Sequence, residues 1–202
     1  MTDRTHRRAE NVEAIAAVTP MQQGILFHSL KVRGQDPYFI QRVFVVNGPV
    51  DAQALQRAWQ SVADRHQVLR EDYRWEEAAK PAQVIYKLRP VAIASESWRE
   101  LLPDAQLARL RASLSEERAQ GFDFRDASQL RLRLIERRAE QHWLVWSYHH
   151  IALDGWSAAL ILSDVLGAYH AFATQGSFSP PGAARYTAYV DWIHKQDPAR
   201  AL

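Results

Sequence analysis

Apolar residues recur along the chain in two spacings, one helical and one alternating, and together they predict a mixed architecture. Thr19-Pro20 supplies a capping hydroxyl and a proline where a helix tolerates one, and Met21 to Leu30 continue as a helix that Gly34 and Pro37 end. From Tyr38 to Val46 apolar residues fall on alternate sides, which predicts a strand covered on both faces, and Asn47-Gly48-Pro49 stops it. Asp51 can cap a second helix whose Ala54, Leu55, Ala58, Trp59 and Val62 form one stripe. Strands are predicted over Val68 to Trp75 and Gln83 to Leu88, and a helix with an exposed charged face over Leu101 to Arg118. Leu130 to Leu134 alternate strictly, and His142 to His149 are rich in Trp, Val and Tyr. These two segments read as neighbouring strands of a hairpin turning at Arg138 to Gln141. A helix from Trp156 to Thr174, a Gly/Pro-rich linker from Gln175 to Gly182 and a short helix from Arg185 to Lys195 complete the order. The fold class expected is α/β (α+β), a mixed β-sheet covered by helices.

Composition narrows the chemistry. With 202 residues, 47% of them hydrophobic, and seven each of Trp, Tyr and Phe, there is material for one packed core or one large lobe of something bigger. The 25 basic and 23 acidic residues leave a net charge of +2, too slight to imply a nucleic-acid partner. Zero cysteines exclude a disulfide framework and a thiol nucleophile. There is no Gly-rich phosphate loop or internal repeat, so no nucleotide or other cofactor is expected. Charged residues interrupt every hydrophobic run, and the stretch Ala14 to Val18 is too short for a secretory signal. The chain therefore reads as soluble and cytoplasmic, with no membrane contact.

The segment Ser147-Tyr148-His149-His150-Ile151-Ala152-Leu153-Asp154-Gly155 carries the chemical signal. On a strand, Trp143, Val145, Ser147 and His149 point one way and Leu144, Trp146, Tyr148 and His150 the other, so the two histidines cannot share one site. That geometry argues against a metal, whose ligands need i, i+2 on a strand or i, i+4 on a helix. One histidine should be structural while the other faces a cleft at the strand end. Taken alone, a His-His pair in an aromatic strand is more often core or hydrogen-bonded scaffold.

The pattern His149-His150-Ile151-Ala152-Leu153-Asp154-Gly155 has the form HHxxxDG and resembles the signature of the condensation domains of nonribosomal peptide synthetases. Thr19 to His28 (TPMQQGILFH) looks like the opening motif of that family, and Arg65 to Arg70 (RHQVLR) is similar to its second motif. The resemblance implies a chloramphenicol acetyltransferase-like fold of two lobes arranged in a V around a tunnel, of which this chain is the first lobe. The boundaries expected are a lead-in at 1–18, the lobe at 19–178, and at 179–202 the start of the crossing to an absent second lobe. The fragment alone is expected to be inactive.

By the same resemblance the reaction is aminolysis. An upstream aminoacyl or peptidyl thioester meets the α-amine of a downstream aminoacyl thioester, both held on phosphopantetheine arms of carrier domains. His150 is the catalytic residue, either taking a proton as nitrogen attacks or orienting the amine and hydrogen-bonding the tetrahedral intermediate. His149 is structural. Asp154 is implied to pair with Arg65 and so fix the loop, and Gly155 to supply backbone freedom or close approach. The residues themselves also allow Asp154 to be a helix cap and Arg65 a solvated arginine at a helix end. His28, His66 and Ser157 lie inside matched motifs but read as packing, surface or capping groups. Residues 1–18, with Arg4, Arg7 and Arg8, read either as a disordered end or as a segment docking to a preceding synthetase. The rival functions are an epimerisation or ester-forming relative of the same fold, and a noncatalytic platform for carrier docking. A free-standing acetyltransferase is disfavoured because that resemblance does not extend to the first motif.

Overall fold

The computed structural model describes residues 10–32, 36–76, 80–125, 129–174, 176–179 and 182–196. The elements run β1 (Val12–Ala17), α1 (Pro20–Lys31), β2 (Phe39–Asn47), α2 (Ala52–Arg65), a 3-10 turn (Gln67–Arg70) and β3 (Glu71–Arg74). They continue with β4 (Ala82–Tyr86), β5 (Ile93–Ser97), α3 (Pro103–Gln120), β6 (Leu130–Arg138), β7 (Gln141–His149), α4 (Gly155–Thr174) and α5 (Tyr186–His194).

Two sheets share the work. The larger has the order β2-β7-β6-β5, antiparallel except for the parallel β5–β6 pair. Its central strand β7 is buried on both faces, as the run Trp143 to Tyr148 predicts. Leu144, Trp146 and Tyr148 pack with Leu55, Trp59 and Val62 of α2 and Ile161 and Val165 of α4, with the Trp59 and Trp146 rings 5.1 Å apart edge to face. Trp143 and Val145 meet Trp98 and Leu110 on the opposite side, under α3. The alternation expected of the His-His strand therefore holds over its length. The smaller sheet, β1-β4-β3, is antiparallel, and α1 packs beside it through Ile25 and Leu26 against Tyr73, Phe124 and Ile151.

Four features differ from the sequence reading. Residues 12–17 of the expected lead-in are β1, paired with β4, because a six-residue strand with one half-buried side reads weakly when its partner lies about 70 residues away in sequence. The docking segment expected at 1–18 is thus in part a strand of the fold, and its residues 1–9 lie outside the described residues. β2 is an edge strand with Val43 and Val45 exposed, not a strand covered on both sides. At 67–70 a 3-10 turn precedes the short β3: the buried Arg70 folds back to donate to the Ala63 carbonyl at 2.9 Å and to Glu13 at 2.8 Å. β5, missed in the sequence, has only Ile93 as a strong strand former and owes its place to pairing with β6.

Candidate active site

β7 ends at His149, and backbone hydrogen bonds pin the turn beyond it. His149 pairs with Phe39 across β2, the His150 amide donates to the Tyr38 carbonyl at 2.9 Å, and the Ala152 amide donates to the His149 carbonyl at 3.0 Å. The chain then turns through Ile151 to Asp154 and enters α4.

His149 is fully buried and fully engaged. Its Nδ1 accepts the Ile151 amide at 3.1 Å, which places the ring proton on Nε2, and Nε2 donates to Asp36 Oδ2 at 3.0 Å, with Ser29 Oγ 3.4 Å away. The Phe124 ring stands edge-on at 4.8 Å. Burial works to raise the Asp36 carboxyl, but hydrogen bonds from His149, the Tyr38 amide and Ser29 outweigh it and hold the group below its ordinary range. His149 is thus scaffold. His150 is the opposite case: partly exposed, on the Tyr148 side of the strand, its ring 6.5 Å from that of Tyr148 and making no hydrogen bond to another side chain among the described residues. The two histidines lie on opposite sides, as the alternation requires, and of the two only His150 is partly exposed.

The Asp154 side chain caps α4. Its Oδ1 accepts the Ser157 amide at 2.6 Å, and that bond, ahead of its other contacts, lowers the carboxyl's affinity for a proton. The pairing of Asp154 with Arg65 implied by the resemblance is not what the structure shows. Arg65 Nη1 lies 2.9 Å from Asp164 Oδ2, and His66 Nε2 reaches the same oxygen at 2.8 Å. The reason is helix geometry: Asp164 lies ten residues, or about 15 Å of helix axis, beyond Asp154. Packing of α2 on α4 sets the end of α2 against the middle of α4 instead of its start. Gly155 opens α4 with no positive φ, and a Cβ built there meets nothing within 4 Å, so neither backbone freedom nor close approach among the described residues requires glycine. His28 faces Phe27 and donates nothing to the motif, and Ser157 contributes its amide to the cap.

Beside the motif a cavity of about 500 Å³ is lined by Leu153, Ser157, Leu160 and Ile161 on one side and His66, Tyr186 and Tyr189 on the other. Among the described residues no group of three His, Asp or Glu side chains could hold a metal ion.

The family model described as "Condensation domain" matches residues 12–201, nearly the whole chain. This chain belongs to the condensation-domain family. As a condensation domain it is 37% identical over 180 residues to one of the linear gramicidin synthase subunits of Brevibacillus parabrevis, covering 89% of this chain and 2% of that one. It is also 30% identical over 193 residues to surfactin synthase subunit 3 of Bacillus subtilis, covering 96% and 15%. Among solved structures, the starter condensation domain of rhizomide synthetase superposes with a TM-score of 0.79 at 17% identity, over 91% of this chain and 46% of that one. The cyclization-docking bidomain from Sorangium cellulosum superposes at 0.74 and 21%, over 96% and 38%. The fold of this condensation domain is therefore chloramphenicol acetyltransferase-like. The chain spans a small fraction of these curated relatives and less than half of the solved chains.

Three residues of this condensation domain that serve the motif were not singled out in the sequence. Asp36 and Asp164 reach their partners only through the fold, and Tyr73 lies beneath the turn. Only Gln22 carried a signal, as part of the opening motif.

Proposed function

We propose that this chain is the first lobe of a condensation domain that forms an amide between an upstream acyl thioester and the α-amine of a downstream aminoacyl thioester, both delivered by carrier domains on phosphopantetheine. The observation that carries this reading is the division of labour at the end of β7: His149 has every ring nitrogen engaged inside the fold, while His150, held by the same backbone, makes no side-chain hydrogen bond among the described residues. Among the described residues no carboxylate is hydrogen-bonded to the His150 ring, whose nearest recorded acidic neighbour, Asp154, interacts with it only through charge, in contrast to His149 with Asp36. An α-amine with a pKa of roughly 7.7 to 8 is already partly neutral near neutral pH. We therefore assign His150 to orienting the attacking nitrogen and hydrogen-bonding the tetrahedral intermediate as the carbon–nitrogen bond forms, the carbon–sulfur bond breaks and the proton shed by the nitrogen leaves with the sulfur as a thiol.

The test is His150→Ala and His150→Gln in the synthetase carrying this chain, with loaded donor and acceptor carriers and detection of the dipeptidyl thioester. Alanine should abolish product, and glutamine, which keeps a hydrogen-bonding group, should retain part of the rate. Normal condensation by the alanine variant would sink the assignment, and inversion of the donor's α-carbon without amide formation would replace it with epimerisation.

A further inference from the structure

A second set of polar groups lies under the turn after His150, and it is almost wholly inside the protein. Tyr73 and Gln83 are fully buried, Glu71 is 1% exposed and Gln22 4%. They come from three elements, β3, β4 and α1, and two of them, Gln22 and Tyr73, reach the carbonyl of Ile151. Gln22 Nε2 lies 3.2 Å from that carbonyl, 3.2 Å from Tyr73 Oη and 3.4 Å from Gln83 Oε1. The orientation of Gln22 is fixed because its Oε1 accepts the Thr19 amide at 2.9 Å, and that of Gln83 because its Nε2 donates to the Ala17 carbonyl at 2.9 Å. Tyr73 Oη lies 3.3 Å from the Ile151 carbonyl and makes a short hydrogen bond with Glu71 Oε1.

Counting protons shows that the Glu71 carboxyl decides where this network points. The Gln22 amide has two protons for three acceptors, so the Ile151 carbonyl depends on the single hydroxyl proton of Tyr73 as well. If Glu71 is ionised, that proton is drawn to the carboxylate. If Glu71 is protonated, its own O–H donates to Tyr73 Oη and the tyrosine proton is released to Ile151. Oε1 is the oxygen that carries the proton, since the buried Oε2 has no partner. An ionised Glu71 would leave that oxygen charged and unpartnered in the core, at high cost.

We propose that Glu71, Tyr73 and Gln22 form a directional hydrogen-bond chain that ends on the Ile151 carbonyl and positions His150, the residue immediately before it. They are positioning residues, and the inference rests on His150 being the reactive histidine. Burial pushes the Glu71 carboxyl up to about 8, which keeps it protonated at neutral pH. The groups facing it are Tyr73 on its own strand, the adjacent Asp72, whose charge works in the same direction, and Tyr186 from α5. Asp72 is itself held by Arg89 at 2.6 Å. Among the described residues, the groups of α1 and β4 hydrogen-bonded into the network are the neutral Gln22 and Gln83.

Two measurements test the chain separately from the reaction. In the 202-residue protein, carbon-13 NMR should show the Glu71 carboxyl titrating near 8, not near its ordinary 4.5, and the Ile151 carbonyl shift moving with the same midpoint. That movement should vanish in Glu71→Gln, whose amide donates at every pH, and in Tyr73→Phe, which lacks the relaying hydroxyl. A Glu71 midpoint in the ordinary range, or an Ile151 carbonyl indifferent to it, overturns the proposal. In the condensing synthetase, the ratio of Glu71→Gln to wild-type kcat should rise roughly fivefold between about pH 7 and about pH 9, the worth of one hydrogen bond, with KM unchanged. The amine's own titration cancels in that ratio. A flat ratio overturns the positioning role. A wild-type synthetase that never condenses removes the function reading, and the NMR result then decides whether the chain exists.

Discussion

Arg65 and Asp164 meet at 2.9 Å across α2 and α4, with His66 sharing the same carboxylate oxygen at 2.8 Å. The motif that carries Arg65 is thereby tied to the helix that follows the His150 motif, through a residue belonging to neither motif. The pair is partly buried, at 18% and 29% side-chain exposure, so it lies between a screened surface bridge and a buried one.

A double-mutant cycle should show it. Arg65→Ala and Asp164→Ala should each lower the melting temperature, with a coupling of about 0.5 to 3 kcal/mol, while Arg65→Ala and Asp154→Ala should be additive. Thermal melts of the singles and doubles decide between the two partners.

Asp154→Ala removes the cap of α4 and should cost about 1 kcal/mol, with Asp154→Asn recovering most of it. The carboxyl's pKa is lowered in the fold, so its contribution is complete above the ordinary value of 3.8 and fades as pH falls through the lowered one. Chemical denaturation of wild type and Asp154→Asn across acidic pH should converge only below that range.

His149→Ala should destabilise the protein by about 1 to 3 kcal/mol, because it leaves Asp36 and the Ile151 amide without their partner. His150→Ala should leave the melting temperature nearly unchanged. Urea unfolding of both variants in the same buffer is the check, and equal losses would contradict the division of roles between the two histidines.

The 202-residue chain by itself should fold but form no dipeptidyl thioester, since a site for two thioesters needs walls on both sides to hold the reacting atoms. Leu160 and Tyr189 line one cavity while remaining exposed, and Trp156 and Trp192 are exposed nearby in sequence, so an apolar face should also drive self-association. Incubation with loaded carriers and sedimentation at increasing concentration test the two parts.

Local patterning was enough to place most elements. The α2 stripe, the aromatic alternation of β7 and the Thr19-Pro20 start of α1 each report a period or a cap that acts over a few residues, and the structure returns them with ends shifted by one or two positions. The same alternation separates His149 from His150 without reference to any contact. The features left open by the sequence are those that depend on distance. β1 exists because β4 is there to pair with it, and β5 because β6 is. Asp36 reaches His149 across 113 residues, and Gln22 reaches Ile151 across 129. Arg65 pairs with Asp164 over Asp154 because the packing of two helices, not the order of motifs, sets which carboxylate lies within reach of a guanidinium. Periodicity is fixed by bonds along the chain, whereas partners are fixed by the packing that brings distant segments together, and only the folded molecule contains that information.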